Sequence, residues 1–160
     1  MDRHTKNKEL ISALRLAMYD FSESSVRKEL DKLFISEPVL HLCYPLGDKV
    51  GVDNYYMDVF APLLRALPDL ERRDTIVMAG PTKEGADWVG CCGYYTGTFS
   101  KSWLDIPPTG NQVAMRFHEF YRFEDERVIE VQTLWDIPEL MMQAGAWPMA
   151  PSLGREWQVP

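Results

Sequence analysis

Apolar residues along the first third of the chain recur at helical spacing. Leu10, Leu14, Ala17 and Phe21 mark one helix over residues 9–21, and Val26, Leu30, Leu33 and Phe34 mark a second after "SESS", whose serines suit an N-cap. "PVLHLCYPLG" reads as a brief strand over 39–43, ended by Pro45 and Gly47. Val52, Tyr55, Tyr56, Val59, Phe60, Leu63 and Leu64 then follow the i, i+3, i+4, i+7 rule, so a third helix is expected, which Pro62 should kink or divide. Beyond Asp69 the period shortens. Runs at 75–79, 88–99, 112–123 and 127–135 are rich in β-branched and aromatic residues and are separated by turn formers, a pattern that predicts a four-stranded meander.

Helices grouped ahead of strands predict an α+β domain with an antiparallel sheet, because parallel sheets alternate strand and helix. Gly90, Gly93 and Gly97 within one strand predict bulges or sharp bends that curl the sheet into a trough. Helices closing one side of such a trough leave a cavity in its mouth, a common setting for small-molecule sites.

One residue disturbs the pattern. In "RFHEFYRF" the alternation places Val113, Met115, Phe117, Glu119, Tyr121 and Phe123 on one face, with Arg116, His118, Phe120 and Arg122 on the other. Glu119 is therefore the single charge on an apolar face, and a carboxylate there must be paired, protonated, hydrated in a cavity or not buried at all.

A chain of 160 residues suits one domain, here 1–160, with the Pro- and Trp-containing stretch 146–160 expected to form a tail whose Trp147 docks on the body. The net charge of −7 opposes binding to nucleic acid or anionic lipid, and no apolar run reaches membrane-spanning length. The amino end lacks the apolar core of a secretory signal. Cys43, Cys91 and Cys92 are odd in number and the last two are adjacent, which favours reduced thiols and a cytoplasmic setting. His4, His41 and His118 have no metal-ligand spacing, so no metal site is expected.

"GTFSKSWLDIPPTGNQV", the "FEDERVIE" hairpin and "LWDIPELMMQAG", together with "YPLG" and "GVDNYY" earlier, resemble the SnoaL-like polyketide cyclase family of the nuclear-transport-factor-two-like superfamily. The resemblance implies a cone of curved antiparallel sheet, a cystatin-like α+β barrel closed by amino-terminal helices. It also implies a dimer, and a cofactor-free cyclase using an acid/base aspartate. Two positions depart from the family's pattern. Phe99 stands where many relatives have a histidine after "GT", and in "EVQTLWD", laid on a tract like "EHWDVWD", Thr133 replaces the first aspartate while Glu130 and Asp136 match.

The expected function is thus a small-molecule lyase or isomerase, abstracting a proton beside a carbonyl of a hydrophobic compound. Asp136, His118 and Glu119 are the candidate acid/base groups, although "DIPE" also reads as a capping box that Asp136 would start. His41, Tyr44, Tyr56, Trp88, Tyr94 and Trp135 are candidate substrate contacts. The alternatives are a dehydratase using pocket histidines and tyrosines, and a non-catalytic binding or dimerisation module, which a Glu119 tied to arginine would favour. Large side chains on both faces of the strand around Phe117 predict a homodimer through the outer sheet face.

Overall fold

The computed structural model describes residues 1–148. It opens with helices α1 (Arg3–Tyr19) and α2 (Glu23–Leu33). Asp2 caps α1 by accepting from the amides of His4 and Thr5, so the helix starts in the polar segment ahead of its apolar stripe. Ser22 caps α2 through the amide of Ser25, and Val26, Leu30 and Leu33 form its buried face.

The third helical region is divided: α3 (Val52–Tyr55), one π-helical turn (Tyr56–Phe60) and α4 (Ala61–Ala66). Pro62 has no N–H to offer the carbonyl four residues back, and the turn ahead of it widens so that Ala61 donates to Tyr56 instead.

Strands β1 (Phe34–His41), β2 (Asp48–Val50), β3 (Glu71–Pro81), β4 (Asp87–Thr98), β5 (Gln112–Glu124) and β6 (Arg127–Trp135) form one curved, unclosed six-stranded sheet in the order β2-β1-β6-β5-β4-β3. The meander β3 to β6 is antiparallel as expected. β1 departs from the all-antiparallel expectation by running parallel to β6, with Leu40 opposite Val131. The alternation rule concerns strands consecutive in sequence, whereas this pair joins the first strand to the last and leaves all the intervening elements as its crossover. β1 also begins earlier than the pattern suggested, because the register shift between Phe34 and Val39 accommodates Pro38 without ending the strand.

Curvature follows from irregularities in the ladders. β3 shifts register between Asp74 and Ile76, opposite Gly93 and Cys92. A Cβ at Gly93 would lie 1.9 Å from the Arg73 carbonyl oxygen, so this close approach requires glycine. The helices cover the inner face, and the interior between is filled with rings: Tyr95 lies 4.8 Å from Phe117 and 5.0 Å from Trp135, and Tyr55 lies 4.9 Å from Phe60.

A last helix, α5 (Ile137–Gln143), finishes the sheet by an unusual route. β6 stops at Trp135, opposite Phe117, so the β5 backbone before that point has no strand on this side. Side chains of α5 take its place: Glu139 accepts from the Arg116 amide, while Gln143 accepts from the Ala114 amide and donates to its carbonyl. α5 is thereby clamped to the sheet.

Candidate functional site

Glu119 is fully buried and ionically paired. Its carboxylate accepts from Tyr95 Oη at 2.6 Å, Tyr121 Oη at 2.7 Å and Tyr55 Oη at 3.4 Å, and from Arg72 Nη1 at 3.2 Å to each oxygen. Arg72, itself 1% exposed, spends its remaining nitrogens on Asp74 and lies 4.3 Å from the centroid of the Phe117 ring. Arg15 of α1 closes the chain of charges at 3.1 Å from Asp74. Two cations and two carboxylates thus cancel across the junction of α1 with the sheet. Burial opposes the charge on Arg72, but Glu119, the phenols and Asp74 outweigh it and hold its proton above the ordinary arginine range. Burial pushes the phenols of Tyr55, Tyr95 and Tyr121 well above the usual tyrosine value, and the Glu119 charge adds to the effect. This is a positioned ionic core whose carboxylate is already saturated with donors.

Of the open spaces, one of about 840 Å³ borders Arg15, Arg72 and Asp74 at the edge of this core, and another lies at the mouth. A cavity of about 740 Å³ is bounded by the Tyr44–Pro45 turn, by Leu104, Asp105 and Ile106, by Ile137, Pro138 and Met141 of α5, and by Trp147. The loop contributing Leu104 and Asp105 is a tight turn stapled by a bridge between the buried Trp103 and Ile106. Both turn residues have left-handed backbones, at φ 51° and 62°, which is rare for a leucine and marks a conformation imposed by its surroundings. Trp147 is half-buried against this cavity, matching the docking expected of it; residues 149–160 of the tail lie outside the described part.

The chain runs from the inner face of β6 directly into the wall of this cavity. Ile137 lines it, and Trp135 and Thr133 precede Ile137 along the inner face of β6, Thr133 standing opposite Glu119. Trp135 is 2% exposed and packs between Tyr95 and Trp103. Neither Trp135 Nε1 nor Thr133 Oγ1, both buried atoms, has a hydrogen-bond partner among the described residues. Cys43, beside Tyr44, reaches the Trp135 carbonyl at 3.9 Å. Burial raises its thiol pKa and pushes that of Cys91 up to about 11, so neither is a ready nucleophile.

The other anticipated residues are dispersed. Asp136 caps α5, its Oδ1 accepting from the Glu139 amide at 3.1 Å, and sits half-buried next to Ile137 of the cavity wall. His118 is exposed on the outer face, between Cys92 and Leu134 in the register. His41 is exposed at the end of β1, 3.2 Å from Asp48. Tyr56 is buried under Arg27, and Tyr94 lies on the outer face under Arg116. Trp88 lines a groove of about 610 Å³ on that same face, with Met78 and Phe120. Tyr44 alone of the three candidate tyrosines borders the mouth, where it is 91% exposed. The alternation that put Glu119 inward also put His118 outward, so Asp136, His118 and Glu119 face three different surroundings. Among the described residues no group of acidic, histidine and cysteine side chains has the arrangement of a metal site.

Comparison with known proteins adds the family. A family model described as SnoaL-like polyketide cyclase matches residues 12–144. No curated protein matches the chain. Among solved structures, AclR, a candidate hydroxylase from Streptomyces galilaeus, superposes with a TM-score of 0.74 at 21% identity over 94% of this chain and 91% of its own. IdmH, a candidate polyketide cyclase from Streptomyces antibioticus, gives 0.70 at 22% identity over 87% and 98%. A SnoaL-like candidate cyclase from a Jannaschia species gives 0.72 at 22% over 93% and 99%. Likeness at such identity is likeness of fold.

Proposed function

Because the chain belongs to the SnoaL-like polyketide cyclase family, we propose that it binds a hydrophobic small molecule in the mouth cavity. The observation that carries this reading is the cavity itself: four separate segments converge on it with largely apolar side chains, and its volume fits a bicyclic or tricyclic ligand. Acetylnaphthalene is a suitable probe, followed by tryptophan fluorescence. Met141→Trp, which fills the cavity, should weaken its binding at least about tenfold while leaving urea stability within about 1 kcal/mol, as a half-buried site tolerates added volume. Undiminished affinity would place the ligand elsewhere.

A second reading keeps the chemistry of the cyclase type, a cofactor-free lyase or isomerase acting on a carbonyl compound. It is supported by the half-buried Asp136 beside the cavity, whose cap uses Oδ1. The saturation of Glu119 and the outward position of His118 favour binding over this alternative. Turnover of a cyclisable ketone that disappears in Asp136→Asn would decide for the chemistry.

The same proposal includes a homodimer. Ile76, Met78, Phe120 and Leu134 are each 43% exposed or more on the outer face, where they surround His118 with apolar side chains that a second copy would cover. Sedimentation of the wild type as a dimer and of Leu134→Glu as an 18.5 kDa monomer is the expected outcome. A monomeric wild type at micromolar concentration would refute it. The three free cysteines support a reducing compartment.

A further inference from the structure

We propose that the mouth cavity takes a hydrophobic organic cation, with Asp105 as its counter-charge and the rings of Trp147 and Tyr44 beside it. The inference rests on the ligand-binding reading above and adds the charge of the ligand.

Among the described residues that bound the cavity, Asp105 is the only charged one; the others are apolar or aromatic. Its carboxylate takes no hydrogen bond and forms no ion pair among the described residues. The turn that carries it is held from both ends by the bridge between the buried Trp103 and Ile106, so the charge stands at a set place on the rim. At φ 62° the backbone of Asp105 is left-handed, a region that aspartate and asparagine enter more readily than other side chains. Asparagine would therefore serve the turn as well, and the negative charge is something the fold does not require.

A ligand that fills the cavity strips water from this carboxylate. A neutral ligand leaves it without a partner, and an anion adds repulsion at the same place. A cation replaces the lost water with an opposite charge. An inorganic ion is a poor fit, because it needs several oxygen ligands and the wall offers mainly carbon. A substituted ammonium on an aromatic body suits both the wall and the carboxylate, and indole and phenol rings attract such a cation through their faces. Trp147 and Tyr44 are the two rings that bound the cavity. Asp136, half-buried next to Ile137 of the wall, deepens the local negative field, and the net charge of −7 favours the approach of cations over anions.

Naphthylmethyl-trimethylammonium and neopentylnaphthalene share one shape and differ in charge, since carbon replaces the ammonium nitrogen. By equilibrium dialysis the wild type should bind the ammonium at least about fivefold more tightly, the combined worth of an ion pair at a rim and a cation–π contact. Asp105→Asn, which keeps a residue suited to the left-handed turn, should bring that ratio below about twofold by weakening the ammonium. Trp147→Leu should lower the ratio about two- to threefold. Glu84→Gln, which removes one exposed charge from the turn between β3 and β4, should leave the ratio unchanged and so separates Asp105 from the charge of the whole chain. Equal affinity for the two probes, or a preference that survives Asp105→Asn, overturns the cation site while leaving the cavity as a binding site. If neither probe binds the wild type, the ligand-binding reading falls and this inference falls with it.

Discussion

Replacing Glu119 by glutamine keeps the shape of the side chain and removes its charge. The wild-type carboxylate takes short hydrogen bonds from Tyr95 and Tyr121 and two from Arg72. In the amide, one oxygen becomes an NH2 group facing a phenol and a guanidinium that had both been donating. The phenol can invert only by surrendering its own acceptor, and Arg72, 1% exposed, keeps a single carboxylate partner in Asp74. Breaking one side of a buried pair typically costs about 3–5 kcal/mol, which for a domain of this size lowers Tm by on the order of 10 °C. Urea unfolding followed by far-UV circular dichroism gives the number directly. A cycle through Arg72→Met, Glu119→Leu and the double variant should return a coupling of about 2 kcal/mol or more, the double costing much less than the sum because it leaves no lone buried charge. Glu119→Gln within about 1 kcal/mol of wild type, or a coupling below about 0.5 kcal/mol, would refute the claim that these charges stabilise each other.

Three further outcomes are expected. The phenols of Tyr55, Tyr95 and Tyr121 have folded-state pKa values raised by burial, so their stabilising contribution is complete below the unfolded tyrosine value near about 10 and is lost as pH rises beyond it. Phenolate absorbance should therefore appear for these three together with unfolding, and their ionisation in a still-native protein near pH 10 would contradict it. Asp136→Asn should leave stability nearly unchanged and Asp136→Ala should cost about 1 kcal/mol, measured by denaturant unfolding; equal losses in the two would show that the carboxylate does more than cap. Gly93→Ala drives a methyl group into the Arg73 carbonyl and should cost about 3 kcal/mol or more, with little soluble native protein recovered; a wild-type Tm would show that the bulge can move aside.

The meander, the two opening helices and the placement of Glu119 and His118 on opposite strand faces were legible in the alternation of apolar and polar residues, because those features are set by neighbours in sequence; which of the two faces turns inward was not. The partner of Glu119 was concealed. Arg72 sits in "ERRD", which local rules assign to a charged turn; the strand in fact starts at Glu71, where tertiary demand for a cation inside the sheet overrides weak β-propensity. Glu119 on an apolar face was itself the available signal for such a cation, as one of the ways a carboxylate there can be accommodated. The three phenols around it come from α3, β4 and β5, and nothing local identifies them as one cluster. A cavity at the mouth was expected, but most of its lining was missed for a related reason: Leu104 and Met141 are ordinary apolar residues until the clamped α5 and the stapled turn bring them together. Conversely, His118 and Tyr94 attracted attention by residue type, and the strand period that turned Glu119 inward turned them outward.

The parallel pairing of β1 with β6 also sets an order of events during synthesis. β1 emerges early, yet its place in the sheet lies between β2 and the final strand, so Leu40 cannot meet Val131 until nearly the whole described chain has left the ribosome. Until then β1 has only β2 to pair with, and two-stranded ribbons are marginal in water. The meander can pair from β3 onward as it appears, but it lacks the neighbour that completes its β6 edge. Closure of one long loop is therefore the committing step, which predicts slow refolding for a domain of this size and a nascent intermediate whose exposed β6 edge is open to pairing with other chains.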